Sequence, residues 1–154
     1  MFSKPKKHIF SPLTGNIYPL DRSNDPAHRD ALLGPGALIM PTIGEVYAPF
    51  DGRAEIVFDT CHALGLVSDT GIELLIHVGL DTVKLGGKFF KAHIETGAVF
   101  RMGDLLLEFN CDAIKEQGFE LETPIIVTNS GAYRAVTLVA DGFIEKNQKI
   151  LEIK

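Results

Sequence analysis

Residues 61–81 limit what this chain can fold into more than any other stretch, because they have the pattern of one tight β-hairpin. Apolar residues at 72, 74, 76 and 78 alternate with the residues between them, which is typical of a strand with one buried face. Residues 61–67 alternate as well, and the turn-forming residues 68–71 separate the two runs. We therefore predict two antiparallel strands joined by a four-residue loop.

The length of the loop decides which residues face each other. A four-residue loop pairs Val67 with Ile72 and places His62 directly opposite His77. Directly opposed side chains share a face, with Cβ atoms about 4.5–5.5 Å apart, so both imidazoles can act on one small group. In this register Cys61 is a small structural hydrophobe, buried behind the histidines. A three-residue loop would instead place the two rings on opposite faces.

The residues in and around this hairpin resemble a known family. The segment HALGLVSDTGIELLIHVGLDTVKLGGKFF (62–90) is similar to the active-site segment of the glucose-family Enzyme IIA proteins of the bacterial phosphoenolpyruvate-dependent sugar phosphotransferase system. A histidine-alanine pair, a serine/aspartate/glycine turn and a His-x-Gly-x-Asp-Thr-Val run recur in that family. The similarity extends over roughly residues 10–153, through APFDG (48–52), GDLLLEF (103–109) and TPIIVTN (123–129).

The resemblance implies a role for three residues. His77 matches the phosphorylated histidine, His62 matches the partner that hydrogen-bonds the phosphoryl group, and Thr60 matches a threonine that orients this partner. Taken alone, a strand histidine is usually structural, and a threonine such as Thr60 is typical of a β-sheet surface.

The chemistry fits two adjacent imidazoles. A neutral imidazole nitrogen is a nucleophile at phosphorus, and a second ring can donate a hydrogen bond to the phosphoryl oxygens. We expect His77 to lie in a shallow apolar depression that is open to large partners. Its candidate walls, which would also dock partners, are Phe58, Leu64 and Leu75; as bare residues, each is more typical of an ordinary core.

Two acidic residues are candidates for the docking rim. By the resemblance, Asp25 matches an acidic residue of the family's docking surface, and Asp81 can pair with an arginine of the donor. The simpler interpretations are a turn-capping Asp25 and a solvated Asp81 at a strand end. His28 falls where apolar residues often lie in the family, so the chain departs from the family pattern there.

The rest of the chain predicts an all-β domain. Short strands, interrupted by 15 glycines and 8 prolines, favour an antiparallel β-sandwich or flattened barrel with one or two short helices. Two strand motifs are duplicated: SPLTG (11–15) resembles APFDG (48–52), and residues 99–109 resemble residues 143–153. One helix is predicted over residues 112–117, with Asn110 as N-cap and Gly118 as the stop. We expect a flexible tail over residues 1–9 and a single domain over residues 10–154.

Composition excludes several classes of function. The net charge of −5 argues against nucleic acid and suits a basic partner protein. The two cysteines form neither a zinc motif nor a disulfide framework. The N-terminal residues lack the apolar segment of a signal peptide, and no apolar run is long enough to cross a membrane, so we expect a cytoplasmic monomer.

Other chemistries lack essential residues. The spacing of His77 and Asp81 resembles one zinc-binding element of metallopeptidases, but no His-x-His completes a ligand set. We therefore predict no intrinsic metal, although His62 and His77 are possible shared ligands in a complex. The hairpin turn has no lysine for biotin or lipoate, and no phosphate-binding loop is present, so we predict no cofactor.

These features together predict a phosphohistidine carrier, which is a phosphotransferase component. It would accept a phosphoryl group from the histidine phosphocarrier protein and pass it to an Enzyme IIB domain of a sugar permease. The alternative is a non-catalytic regulatory module whose unphosphorylated face binds metabolic enzymes or transporters. A purely structural β-sandwich is a third possibility.

Overall fold

The computed structural model describes residues 6–154, and within them the regular secondary structure is mostly β-strand. Two short α-helices are present, α1 (Pro26–Arg29) and α2 (Cys111–Glu116), with 3-10 turns at Leu20–Arg22, Thr82–Leu85 and Ser130–Ala132. The fourteen strands of the described residues are β1 (Lys7–Phe10), β2 (Gly15–Pro19), β3 (Gly36–Pro41), β4 (Glu45–Tyr47), β5 (Gly52–Val57), β6 (Ala63–Ser68), β7 (Glu73–His77), β8 (Phe90–Ala92), β9 (Val99–Phe100), β10 (Leu105–Phe109), β11 (Thr123–Val127), β12 (Val136–Leu138), β13 (Gly142–Ile144) and β14 (Lys149–Ile153).

The strands form antiparallel sheets around one hydrophobic core. The largest sheet has eight strands in the order β13-β2-β3-β11-β7-β6-β5-β9, and two three-stranded sheets have the orders β1-β14-β12 and β4-β10-β8. Side chains from all three sheets meet in a single buried cluster, including Ile9, Ile39, Leu64, Ile76 and Leu107. The predicted all-β sandwich is therefore confirmed. Strand β7, which ends at His77, lies near the middle of the large sheet.

The duplicated motifs predicted from sequence occupy equivalent positions. The two Pro-x-x-Gly turns each end at a glycine that begins a strand, Gly15 in β2 and Gly52 in β5. A Cβ added to either glycine would lie 2.2 Å and 2.1 Å, respectively, from a carbonyl oxygen of the neighbouring strand. Close approach of the backbones thus explains why both turns carry glycine. The second repeat corresponds to β9–β10 and β13–β14.

The predicted register of the β6–β7 hairpin is wrong by one residue. Val67 pairs with Glu73, and Ala63, not His62, faces His77. The reason lies in the turn, which closes on Ser68 and Ile72 rather than on Val67 and Ile72. The Ser68 amide donates to the Ile72 carbonyl at 2.9 Å, and the Ser68 hydroxyl accepts from the Ile72 amide at 2.9 Å.

This tighter turn exchanges the faces of β6. Gly71 adopts φ 93°, which supplies the left-handed residue that a three-residue hairpin loop needs. Leu64 and Leu66 consequently point into the core, where they are at most 1% exposed. Ala63 and Gly65 share the other face with His77.

The predicted helix is present, and a second short helix accompanies it, within the predicted number of one or two. Asn110 caps α2 by accepting a hydrogen bond from the Ala113 amide at 3.1 Å, and Gly118 follows with φ 89°. The helix begins at Cys111, one residue before its predicted start. The position of helix α1, directly after its N-cap Asp25, was not predicted.

The predicted N-terminal tail overlaps the first strand. β1 pairs with β14, and Ile9 is fully buried in the core, so the prediction of a flexible tail is wrong for Lys7–Ile9. Residues 1–5 of that tail lie outside the described residues. Across residues 6–154, no helix has both the length and the apolar character needed to cross a bilayer.

The observed register predicts the effect of truncating Leu64. Leu64→Ala should lower the free energy of unfolding by about 2–5 kcal/mol, because the substitution leaves a cavity in the core. Val99→Ala is the control, because Val99 is 78% exposed and its loss should change stability by less than about 0.5 kcal/mol. Urea unfolding of both variants measures the difference. Equal, small losses would place Leu64 on the outer face and restore the register predicted from sequence.

Candidate functional site

Two histidines meet at the open end of the β6–β7 hairpin. His77 is the last residue of β7, and His62 immediately precedes β6. Their ring centroids are 4.8 Å apart, and the ring planes are nearly perpendicular at 86°. The proximity expected from sequence is therefore confirmed, although the register expected to produce it is wrong.

The backbone before β6 explains how the rings meet. Cys61 adopts a left-handed conformation with φ 57°, in a turn that the Cys61 amide closes on the Phe58 carbonyl at 2.7 Å. His62 follows in a bend, so its side chain does not follow the alternation that begins at Ala63. Cys61 itself packs against the hydrophobic core but is only half-buried in this turn, so the prediction that it is buried is wrong.

A hydrogen bond to the backbone defines the tautomer of His77. Its Nδ1 lies 2.8 Å from the Gly79 carbonyl oxygen, which can only accept, so Nδ1 carries the proton. The other nitrogen, Nε2, is then left with a free lone pair. His77 is half-buried, so this nitrogen belongs to a side chain that is partly accessible to a partner.

The backbone after His77 permits only glycine at position 79. Gly79 has φ 81°, and a Cβ there would lie 2.5 Å from Thr82 Cγ2 and 2.9 Å from the Glu120 carbonyl oxygen. Thr82 is fully buried and donates its hydroxyl hydrogen to the Val78 carbonyl. The Leu80 amide donates to the Glu120 carbonyl at 3.0 Å. These contacts fix the carbonyl that orients His77.

His62 is held by Thr60. The Thr60 hydroxyl lies 2.5 Å from Nδ1 of His62, and His62 is only 3% exposed. When Thr60 donates this hydrogen bond, the proton of His62 resides on Nε2, and that nitrogen becomes a donor. The structure thus places all three residues that the resemblance singled out in one cluster.

Two of the three predicted walls lie beside the histidines. The edge of Phe58 approaches the His62 ring with centroids 5.6 Å apart, and Phe58 is 36% exposed. Leu75 is half-buried on the same face of β7 as His77. Leu64 is fully buried in the core, so its prediction as a wall is wrong; the shifted register is the reason.

The two acidic residues differ in their surroundings. Asp25 caps α1, since its Oδ1 accepts from the Ala27 amide at 2.9 Å, as the turn-capping interpretation predicts. Asp81 is exposed, has φ 58°, and makes no side-chain capping bond to the 3-10 turn that follows. Asp25 lies close enough to His77 for its charge to raise the pKa of that imidazole.

Burial keeps both histidines neutral near pH 7. It lowers the pKa of His62 to about 4, with the charge of His77 as a second cause. Burial also lowers the pKa of His77; the Gly79 hydrogen bond opposes this effect, and the charge of His28 reinforces it. Neutral imidazole is the form that can act as a nucleophile at Nε2 and as a hydrogen-bond donor that carries no charge.

The contact between His28 and His77 was not predicted from the sequence. His28, on α1, has its ring centroid 5.8 Å from that of His77 and is 5% exposed. The signal was the Asp25-Pro26 pair, in which an N-cap residue precedes a proline at the first helical position.

Among residues 6–154, no group of three or more histidine, cysteine, aspartate or glutamate side chains has a metal-binding arrangement.

The low pKa of His62 predicts how stability depends on pH. Unfolded His62 takes up a proton as the pH falls below about 6.5, whereas folded His62 does so only near pH 4. The free energy of unfolding should therefore be highest above pH 6.5, where neither state binds this proton, and should fall as the pH drops toward 4. Urea unfolding at several pH values measures this slope, which should be shallower in His62→Gln. An unchanged slope in the variant would contradict the burial of a neutral His62.

Comparisons with known proteins agree on one family. The family described as phosphoenolpyruvate-dependent sugar phosphotransferase system, EIIA 1, matches residues 7–133. The beta-glucoside-specific EIIBCA component of the PTS system from Dickeya chrysanthemi is 46% identical over 145 residues, which cover 94% of this chain and 23% of that protein. This chain thus spans about a quarter of the length of that curated relative.

A solved structure gives the same result. The glucose permease IIA from Mycoplasma capricolum superposes with a TM-score of 0.92 and 28% identity, covering 100% of this chain and 99% of the other. The match to the family extends over most of the chain and includes both histidines of the site. The chain therefore belongs to the EIIA 1 family of the phosphoenolpyruvate-dependent sugar phosphotransferase system.

Proposed function

We propose that this phosphoryl carrier of sugar uptake holds its phosphoryl group on Nε2 of His77. It receives the group from the histidine phosphocarrier protein and passes it to an Enzyme IIB domain. The observation that supports this proposal best is the hydrogen bond from His77 Nδ1 to the Gly79 carbonyl, which leaves Nε2 unprotonated beside the buried ring of His62.

The transfer step exchanges one phosphorus–nitrogen bond for another. The lone pair on Nε2 of His77 attacks phosphorus, and the bond between phosphorus and the donor histidine breaks. The electron pair of the broken bond stays on the donor nitrogen. No proton has to leave His77, because Nδ1 keeps its hydrogen bond to Gly79 and this bond stabilises the positive charge that develops on the ring. Transfer onward to Enzyme IIB reverses these events.

His62 supplies a donor to the phosphoryl oxygens. With Thr60 donating to Nδ1, the Nε2–H of His62 can bond an oxygen of a phosphoryl group on His77. Because His62 is buried, this hydrogen bond forms where water does not compete, and such bonds are stronger than in solvent. Thr60 is a positioning residue that fixes the ring and its tautomer.

The surroundings of His77 suit protein partners. Phe58 and Leu75 border the histidines, and Val83, six residues beyond His77, is 49% exposed. An apolar surface around a half-buried nucleophile lets a partner exclude water when it docks, which favours phosphoryl transfer over hydrolysis. Asp81 and Asp25 place negative charge near this surface, which fits a basic donor.

The relative from Dickeya chrysanthemi carries B, C and A components by name. We infer that this chain serves a permease of comparable composition, with the B component as its phosphoryl acceptor. A regulatory role for the unphosphorylated surface remains the second candidate, because any partner of that role would bind the same exposed surface around Phe58.

The proposed roles predict different effects for the two histidines. His77→Ala should abolish phosphorylation by phosphoenolpyruvate and the general phosphotransferase proteins, because the nucleophile is lost. His62→Gln should still accept the group but pass it on about 10²–10³-fold more slowly, since one donor to the phosphoryl oxygens is missing. Radiolabelled phosphate on the protein, followed by transfer to a purified IIB domain, measures both steps.

His93→Gln is the matched control, because His93 follows β8, contacts Glu108 of β10 and lies outside the histidine pair. It should behave like the wild type in both steps. Equal labelling of wild type and His77→Ala would eliminate His77 as the acceptor, and labelling that depends on His93 would move the site.

Docking should depend on charge. Transfer from the donor should slow as salt increases, because exposed charges are screened beyond about 8 Å at physiological ionic strength. Asp81→Asn should slow the transfer and weaken its salt dependence. Asparagine also tolerates the left-handed backbone at this position, so the loop is preserved.

The control for docking is Asp141→Asn, since Asp141 is exposed next to β13, at the far edge of the large sheet. Stopped-flow or quench-flow transfer rates over a series of salt concentrations separate the two variants. Identical salt profiles for wild type and Asp81→Asn would remove Asp81 from the docking surface.

A further inference from the structure

The segment between β2 and β3 brings a third imidazole to His77. His28 is 5% exposed, and its ring centroid lies 5.8 Å from that of His77, with an angle of 56° between the ring planes. His77 therefore contacts one histidine from the hairpin, His62, and one from α1. The proposed phosphoryl-transfer chemistry above uses only the first of these neighbours.

Hydrogen bonds at the start of α1 fix the position of His28. Glu122, which directly precedes β11 and is 2% exposed, accepts a hydrogen bond from the Ser23 hydroxyl at 2.5 Å and from the Asn24 amide at 3.0 Å. The Ser23 hydroxyl in turn accepts from the Asp25 amide at 3.1 Å. This network anchors the start of α1, so His28 is held against His77 by the fold.

His28 has a buried nitrogen without a hydrogen-bond partner among the described residues. This atom is Nδ1, and the nearest carboxylate oxygen is Asp25 Oδ2, at 3.7 Å. That distance is too long for a hydrogen bond but short enough for a small rotation of either side chain to close it. A buried polar atom without a partner destabilises the fold, and an apolar ring would pack there without this cost.

Phosphorylation of His77 would bring a negative group close to the Asp25 carboxylate, and a protonated His28 can offset this repulsion. The phosphoryl group brings negative charge to a site where Asp25 is already negative and close enough to act on His77. The nearby ring of His62 is neutral and offers only a hydrogen bond. Within the cluster, His28 is the side chain that lies beside both Asp25 and His77 and can become positive.

We propose that His28 is a positioning residue for the phosphoryl group on His77. It takes up a proton from solvent when His77 is phosphorylated, donates Nδ1–H to Asp25, and so prevents that carboxylate from repelling the phosphoryl group. In the unphosphorylated protein the Nδ1 of His28 stays unpaired, as observed. This inference rests on the proposed function, because it requires a phosphoryl group on His77.

The other charged groups around His28 do not provide this balance. On its own helix, Arg29 lies 3.6 Å from Asp30, and both side chains are largely exposed. Glu122 is engaged by Ser23 and Asn24, on the other side of the N-cap. Among the described groups that face His28, this leaves Asp25 and His77, with His62 behind His77.

Nuclear magnetic resonance of the imidazole nitrogens tests the proposal on the wild-type protein. Spectra are recorded over a series of pH values with His77 unphosphorylated and then phosphorylated by the general phosphotransferase proteins. The titration midpoint of His28 should rise by about one to three pH units on phosphorylation, as expected for an opposite charge within 4–6 Å. The same midpoint in both forms would overturn the inference while leaving the proposed function intact.

A spectrum without a phosphoryl signal on His77 would overturn both the inference and the proposed function, which distinguishes the two failures.

A variant gives a second measurement. His28→Phe keeps an aromatic ring at the position but cannot take up a proton. Relative to wild type, its equilibrium phosphorylation by the donor should fall as the pH decreases, by about tenfold for each pH unit of midpoint shift lost.

Thermal unfolding of His28→Phe shows whether the variant is folded, and His93→Gln serves as the histidine control outside the site. A residue that only fills space would change stability but would leave the pH dependence of phosphorylation unchanged. Parallel pH profiles for wild type and His28→Phe would therefore also overturn the inference.

Discussion

The hydrogen bond from His77 Nδ1 to the Gly79 carbonyl is the interaction on which the site depends. It assigns the ring proton to Nδ1 and leaves Nε2 with a free lone pair. The bond exists only because the chain reverses sharply after β7, and glycine is the residue that fits this reversal against Thr82 and the Glu120 carbonyl. The histidine, the glycine two positions later and the buried threonine form one structural unit. The phosphoryl carrier of this family thus relies on backbone geometry as much as on side chains.

The sequence predicted the strands and the histidine pair better than the register that joins them. Alternation fixed the two strands of the hairpin, because period-2 patterns follow directly from the pleat. The four-residue loop was predicted because serine is typical of turns. In the structure Ser68 belongs to β6 instead, and its amide and hydroxyl both pair with Ile72. That error exchanged the faces of β6 and misplaced Leu64 and Cys61. The left-handed conformation of Cys61, which has no sequence signal in a non-glycine residue, then brought His62 back to His77.

The segment that carries Asp25 and His28 shows a different limit of sequence analysis. Asp25 and Pro26 form a recognisable helix start, yet a helix of four residues leaves no periodicity to detect. The contact between His28 and His77 joins residues almost fifty positions apart, and it depends on the anchor between Ser23 and Glu122. Local patterns cannot predict such a contact, because the tertiary fold alone determines it. Besides the Asp25-Pro26 helix start, a histidine where the family often has apolar residues was the only sign in the sequence.

Burial of the histidines links stability to function. The same desolvation that lowers the pKa of His62 and His77 keeps both rings neutral near pH 7. In the proposed function neutral His77 is the reactive form, so burial would increase the fraction of protein that can accept a phosphoryl group. In acid the unfolded chain binds protons at these histidines, whereas the folded protein does not. This difference lowers the free energy of unfolding. Under the same proposal, deeper burial would hide Nε2 from a partner, so the half-buried position of His77 balances the neutrality of the ring against access to it.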